Sequence, residues 1–302
     1  MKLPEETSVM SNTLQKQLLF DFPPKEPKKN ISVPTFIKWA GGKTQLLNQF
    51  ENFFPTFFDK YYEPFLGSGA VFFYLKNLYP EKEFFLSDNN AELINCYEIV
   101  KNELEKLLDL LKEYRSKHSK EYYYNQRNID TSDLSKIELA ARFIYLNKTC
   151  FNGLYRVNSK GKFNVPMGSY KNPSIFQEKD LRTSNGLLQG VTLKTMSFEK
   201  IIKIAQKNDF VYLDPPYHPL SPTSSFTSYT SISFSEKDQI RLAEVYRELD
   251  KKGCLLMLSN SYSEFILELY SDYRIEQVSA KRMINCNGKK RGAIPEAVVM
   301  NY

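Results

Sequence analysis

Phe210-Val211-Tyr212-Leu213-Asp214-Pro215-Pro216-Tyr217 is the stretch from which the chain is best read. Four apolar or aromatic residues in a row spell a short buried strand. A carboxylate, two prolines and a tyrosine follow at once. The prolines can neither continue a sheet ladder nor start a helix smoothly, so they fix a stiff corner at the strand's C-terminal end. Open α/β sheets hold their ligands at that end. The corner offers one acceptor side chain (Asp214), one carbonyl followed by a nitrogen without a proton (Pro215, then Pro216) and one flat ring (Tyr217). Together these can grip an amino group on a planar ring, with two acceptors for its N–H bonds and a face to stack on. The plainer alternative is a Pro-rich turn after a core strand.

Outward from this corner, composition sets bounds. The chain has 302 residues, 42% hydrophobic and 25% charged, as in an ordinary globular protein with a full core. No apolar run approaches the ~20 residues of a membrane span. No apolar signal core follows Met1 and Lys2. Cys96, Cys150, Cys254 and Cys286 are widely spaced with no C-x-x-C pair, so neither zinc nor a disulfide framework is expected, and no metal. A cytoplasmic protein with reduced thiols fits. The net charge of +6 favours an anionic partner.

Residues 1–33 read as a solvated N-terminal tail, rich in Ser, Lys, Gln and Pro. Next comes Lys38-Trp39-Ala40-Gly41-Gly42-Lys43-Thr44. A P-loop would need Gly at position 37, where Ile37 stands, so ATP binding is not expected. The two glycines still spell a tight turn that can present N–H groups and Lys43 to a carboxylate. Glu63-Pro64-Phe65-Leu66-Gly67-Ser68-Gly69 then reads as strand, Gly-rich turn and helix. A dinucleotide fingerprint would need a third Gly at 72, where Phe72 stands. Glu83–Asp88 reads as a second strand ending in an acid placed to meet ribose hydroxyls. Its alternative role is that of helix N-cap, ahead of Asn89 and Asn90. These pieces suit an adenosine cofactor without a diphosphate, for which S-adenosylmethionine is the natural candidate.

From about 100 to 186 the character changes. Helical spacing at 102–119 and 139–146 leads into a stretch from Asn147 to Asn172 with basic residues and no acid. Aromatics (Phe151, Tyr155, Phe163, Tyr170) are interleaved, which favours a nucleic-acid surface over a solvated loop. Ser159-Lys160-Gly161 reads as a hairpin turn. Arg156 can contact a guanine edge and Asn152 a base or phosphate. A polar loop at 218–235 is expected to be mobile, and further strands are expected at 253–260, 274–280 and 297–302. A second basic stretch, 281–292, carries Lys289 and Arg291 toward a DNA groove.

Taken together, these segments resemble the Dam-type (D12 class, alpha-group) N6-adenine DNA methyltransferases. The resemblance rests on Lys38–Lys43, Glu63–Ala70, Asp88–Asn89, Phe151–Gly168, Asp214–Tyr217 and Ile284–Gly288 with the last strand, and covers the chain from about Phe36 to Tyr302. It implies an α/β fold: a seven-stranded, mainly parallel, Rossmann-like sheet with one antiparallel strand. The cofactor domain would comprise 34–99 and 187–302, with a smaller helical and β-hairpin target-recognition domain at 100–186. It places Trp39, Ala40, Gly41, Gly42, Lys43, Glu63, Pro64, Phe65, Gly67, Ser68, Gly69, Asp88, Asn89 and Asp214 around S-adenosylmethionine. Lys38, Phe151, Asn152, Leu154, Arg156 and Tyr170 fall on positions used at a GATC site. Ser169, where some members carry a basic residue, and Phe151, where some carry Tyr, are departures that bear on affinity and target.

The expected reaction is methyl transfer to N6 of an adenine flipped out of double-stranded DNA, with Asp214, Pro215, Pro216 and Tyr217 as the catalytic corner. A monomer is expected, nucleoid-associated when on DNA, acting alone or beside a cognate restriction endonuclease. Two rivals are a DNA-binding module without chemistry and methyl transfer to another amino group, on cytosine, RNA or protein. Asp at the head of the tetrapeptide points, through the resemblance, to adenine in DNA.

Overall fold

The apolar run at 210–213 becomes the middle strand of a seven-stranded sheet. The structure, a computed structural model, describes residues 31–220, 234–281 and 293–302. All but the end of the 1–33 tail, most of the polar loop at 218–235, and Lys289 and Arg291 lie outside them. Val33–Tyr302 forms one compact unit.

The strands are β1 (Lys60–Glu63), β2 (Glu83–Asp88), β3 (Thr192–Thr195), β4 (Phe210–Leu213), β5 (Leu255–Ser261), β6 (Arg274–Lys281) and β7 (Ala293–Met300). Their order is β3-β2-β1-β4-β5-β7-β6. Neighbours from β3 to β5 are parallel, while β7 runs antiparallel to both β5 and β6. The expected sheet with one reversed strand is therefore present. Its last strand starts at Ala293, four residues before the expected 297. Pro295 hides that start in the sequence. It is tolerated because pairing with β5 stops at Glu296, so the proline lies just beyond the doubly paired part of the strand.

β4 reads as a continuous apolar run because both of its faces are covered. Val211 and Leu213 pack with Leu242, Tyr246 and Leu249 of the helix Glu236–Lys251. Phe210 and Tyr212 meet Phe50, Phe54 and Phe58 on the other side. Each such side chain contributes about 1.5–3 kcal/mol on burial. The helix Glu236–Lys251 starts at a capping box: Ser235 Oγ accepts from the Asp238 amide and the Asp238 carboxylate accepts from the Ser235 amide.

Between β2 and β3 the chain adds the helices Ala91–Asn102, Leu104–Ser116, Lys120–Asn128, Lys136–Thr149 and Glu178–Leu188. The helix Lys136–Thr149 has Ala140, Ile144 and Tyr145 fully buried. After it, the basic stretch folds back through two single bridges, Cys150 with Met167 and Val157 with Phe163. These take the place of the short strands expected around Ser159–Gly161. No helix among the described residues is long and apolar enough to cross a membrane.

Candidate active site

β1 has β2 on one side and β4 on the other, so the chain's winding reverses between β1 and β4. A crevice opens at their C-terminal ends for that reason. Glu63 ends β1, and Asp214 directly follows β4.

Asp214 is the centre of the site. Its Oδ2 is 2.7 Å from Lys43 Nζ, whereas its Oδ1 is buried with no hydrogen-bond partner among the described residues. Burial pushes the carboxyl up to about 6, with the Lys43 ammonium pulling the other way. Lys43, only 3% exposed, also donates to the Gly41 carbonyl at 2.6 Å and lies 4.8 Å from the Tyr217 ring centroid. Its ammonium thus already uses one acceptor oxygen and a ring face of the kind an aromatic amine needs.

The corner is held from behind by side chains that the sequence did not single out. Gln239 donates to the Pro216 carbonyl at 2.9 Å, and Asn260 donates to Gln239 at 3.0 Å. Asn260 Oδ1 accepts from the His218 amide, and the Tyr217 hydroxyl donates to Glu296 at 2.7 Å. Gln239 and Asn260 are fully buried. A polar residue on the apolar stripe of a helix, and another inside an apolar strand, were the available signals. The His218 ring stacks on Phe265 and bonds to Ser263 and Glu236.

The second lobe of the crevice is the Gly-rich turn. The Gly67 amide donates to Asp88 Oδ2 at 3.3 Å, the Asn90 amide donates to Asp88 Oδ1 at 2.9 Å, and the Tyr97 hydroxyl donates to the Gly67 carbonyl at 3.1 Å. Asp88 is raised by burial against these backbone N–H bonds. The N-cap of the helix Ala91–Asn102 is Asn90, which accepts from the Glu92 and Leu93 amides; Asp88 does not take that role. Gly67 has φ +48°, and a Cβ there would sit 2.8 Å from Trp39 Cδ1. Trp39 in turn stacks on Tyr155 at 5.7 Å and on Phe143 at 6.4 Å. The two Gly-rich loops meet where a Cβ on Gly42 would lie 3.3 Å from Ser68 Oγ. Pro64 is buried and Phe65 stacks on Phe198, while Ala40 and Asn89 are exposed. Glu63 is buried and accepts from the Tyr61 hydroxyl at 2.7 Å. Burial pushes its carboxyl up to about 8, Tyr61 opposing and Asp214 reinforcing.

The acid-free stretch lies beside this crevice. Lys38 Nζ donates to the Tyr170 hydroxyl at 3.3 Å and sits 4.5 Å from its ring centroid. Phe151 and Tyr170 are large exposed aromatics, Asn152 has φ +55°, and Leu154 is half-buried. Exposed Arg156 is braced through Nε by Asn164 at 2.7 Å. Lys148 was not singled out from the sequence. It donates to the Thr35 carbonyl at 3.1 Å, and burial, then Lys38, pushes its pKa down to about 8. Among the described residues no cluster of His, Cys, Asp and Glu could hold a metal ion.

The crevice thus sets a buried carboxylate and ring, Asp214 and Tyr217, beside a Gly-rich turn tied to Asp88. Residues 39–284 match the family described as D12 class N6 adenine-specific DNA methyltransferase, and the chain belongs to that family. It is 48% identical to Type II methyltransferase M.MjaIII of Methanocaldococcus jannaschii, over 90% of this chain and 100% of that one. It is 45% identical to Type II methyltransferase M1.LlaDCHI of Lactococcus lactis subsp. cremoris, over 91% and 98%. With a DNA adenine methylase of Haemophilus influenzae the identity is 33%, over 91% and 97%. The chain is thus a DNA adenine-N6 methyltransferase, and its methyl donor is S-adenosylmethionine. The chemistry of the residues present is compatible with that donor: Asp88 is a carboxylate that can accept from hydroxyls, and Asp214 Oδ1 is a buried acceptor without a partner among the described residues.

Proposed function

We propose that the enzyme methylates the N6 amino group of a flipped-out adenine in a GATC site, with Asp214, Pro215, Pro216 and Tyr217 as its catalytic corner. The observation that carries this reading is the buried Asp214 Oδ1, without a partner among the described residues, near Tyr217. An unpaired carboxylate oxygen in such a place is costly unless a ligand donates to it.

The adenine amino nitrogen is a weak nucleophile because its lone pair is delocalised into the ring. Asp214 Oδ1 accepts one amino N–H. Gln239 already engages the Pro216 carbonyl, so the Pro215 carbonyl accepts the other. These two bonds turn the lone pair out of conjugation. Tyr217 stacks on the flipped ring and repays part of the few kcal/mol that unstacking costs. Lys43 must give up its place by the ring as the base enters, which ties its position to occupancy of the site. S-adenosylmethionine, when bound, supplies an electrophilic methyl group. Trp39, Lys43, Gly67, Ser68, Gly69 and Asp88 hold it, with Ala40–Gly42, Glu63–Phe65 and Asn89 shaping the loops around it. Asp214 can also take the proton that the amino group sheds, since its carboxyl titrates at about 6.

We read 100–186 as the target-recognition insertion in a cofactor domain of 34–99 and 187–302. Lys38, Phe151, Asn152, Leu154, Arg156 and Tyr170 form its reading face, and Lys289 and Arg291 add contacts. Greater identity to Type II methyltransferases than to the Haemophilus influenzae methylase favours a role beside a restriction endonuclease over a solitary one. The enzyme acts in the cytoplasm as a monomer, at the nucleoid when bound to DNA.

The test is transfer of a labelled methyl group to two duplexes that differ only by scrambling of GATC. Label should appear on the GATC duplex alone, and Asp214→Ala should lower the rate by at least ~10²–10³-fold, the size expected for a group acting in the transition state. Equal labelling of both duplexes would discard the target sequence and keep the chemistry. Full activity in Asp214→Ala would discard the catalytic corner.

A further inference from the structure

One buried side chain joins the target-reading face to the cofactor loop. Asn147, in the helix Lys136–Thr149, is 1% exposed. Its Oδ1 accepts from the Lys38 amide at 2.7 Å, and its Nδ2 donates to the Lys38 carbonyl at 2.7 Å and to the Gly153 carbonyl at 3.2 Å. All three bonds leave its own helix. An amide that satisfies both the N–H and the C=O of one residue fixes that residue's backbone as a neighbouring strand would. Lys38 lies in the segment 31–42, which is neither helix nor strand. Its place in the site therefore depends on such tertiary bonds.

Fixing this one backbone aims two neighbouring side chains. The Lys38 stem runs against Gly153 so closely that a Cβ there would lie 2.4 Å from Lys38 Cδ, and its ammonium ends at Tyr170. The next residue, Trp39, lies against Tyr155 and over Gly67. We propose that Asn147 is a positioning residue which, through the backbone of Lys38, sets both the reach of Lys38 toward the target and the seat of Trp39 against the cofactor pocket. This rests on the reading given above, that Lys38 faces DNA and Trp39 borders the cofactor.

Trp39 is the only tryptophan of the chain, so its fluorescence reports on this joint directly. The experiment uses the full chain with Asn147→Asp, Asn147→Ser and Lys38→Ala. Three quantities are measured: S-adenosylmethionine affinity by Trp39 fluorescence, the ratio of kcat/KM on GATC and scrambled duplexes, and Tm. Asn147→Asp keeps the shape and one acceptor but turns a second oxygen toward two carbonyls. Asn147→Ser removes the clamp without adding charge, and serves if the Asp variant does not fold.

Losing these buried bonds should weaken cofactor binding about tenfold and lower the duplex ratio about tenfold. The Trp39 emission of the free protein should shift as well. Lys38→Ala should lower the ratio alone. A lowered Tm with normal affinity and normal ratio would make Asn147 a stability residue and overturn the proposal, as would movement of only one of the two readouts. If Lys38→Ala leaves the ratio unchanged, the underlying reading of Lys38 falls, and the target half of the proposal with it.

Discussion

Glu63 shows how much one residue's environment decides. On sequence it is an acid in a cofactor loop, but the fold buries it under Tyr61 and beside Asp214. The unfolded carboxyl releases its proton near the ordinary value of 4.5, the folded one at about 8. Between those values the folded chain holds a proton that the unfolded chain has lost, so this group's contribution to stability falls as pH rises. Glu63→Gln keeps an acceptor for Tyr61 and removes the titration. It should stabilise the protein by about 1–3 kcal/mol at pH 8 and by nothing near pH 4.5. Urea unfolding at both pH values checks this, and an equal gain at both would refute the assignment. Asp214 is legible as a catalytic candidate from its tetrapeptide, but its Oδ1, unpaired among the described residues, and its partner Lys43, 171 residues away, are not.

At the scale of elements, the Gly-rich turn after β1 is where backbone shape is tightest. Gly67 combines a left-handed φ with direct contact to the Trp39 ring. Gly67→Ala should cost about 1–3 kcal/mol of stability and displace Trp39. A loss of S-adenosylmethionine affinity should accompany it, seen by calorimetry and by Trp39 emission. Gly161 is the control: it too has a left-handed φ, but nothing lies within 4 Å of an added Cβ. Gly161→Ala should therefore cost only the ~1 kcal/mol backbone term and leave cofactor binding intact. Equal effects at the two sites would remove the packing argument. The turn itself was legible from its glycines. The ring that makes Gly67 necessary comes from another loop, and so was not.

Over the whole molecule, the net charge of +6 and the acid-free stretch 147–172 make a prediction about salt. Each phosphate neutralised contributes about −0.9 to the slope of log affinity against log salt, so removing two phosphate contacts should flatten it by ~1.8. Lys160 and Lys162, exposed at the hairpin, are the residues to remove together. Their double Ala variant should weaken binding to GATC and scrambled duplexes alike, by equal factors. Arg156→Ala should instead relax the preference between them. Fluorescence anisotropy across a salt series separates the two, and an unchanged slope in the double variant would take Lys160 and Lys162 out of the interface.

The sequence by itself determined the order of the pieces: an apolar run closed by Asp214–Tyr217, a Gly-rich turn after a strand, an acid at the end of the next strand and an acid-free aromatic stretch. Local chemistry writes these plainly, because strand burial, turn residues and charge are properties of neighbouring residues. Only the tertiary structure decided which of them meet. The β1/β4 crossover brings Glu63 and Asp214 to one crevice, and Lys43 reaches it from the start of the 3-10 helix Lys43–Leu46, 171 residues away from Asp214. Gln239, Asn260 and Glu296 support the corner from elements after it, and Asn147 holds Lys38 across 109 residues. A hydrogen bond between residues far apart in the chain leaves no periodicity or spacing to read, and exists only once burial has made an unsatisfied amide or carboxylate expensive.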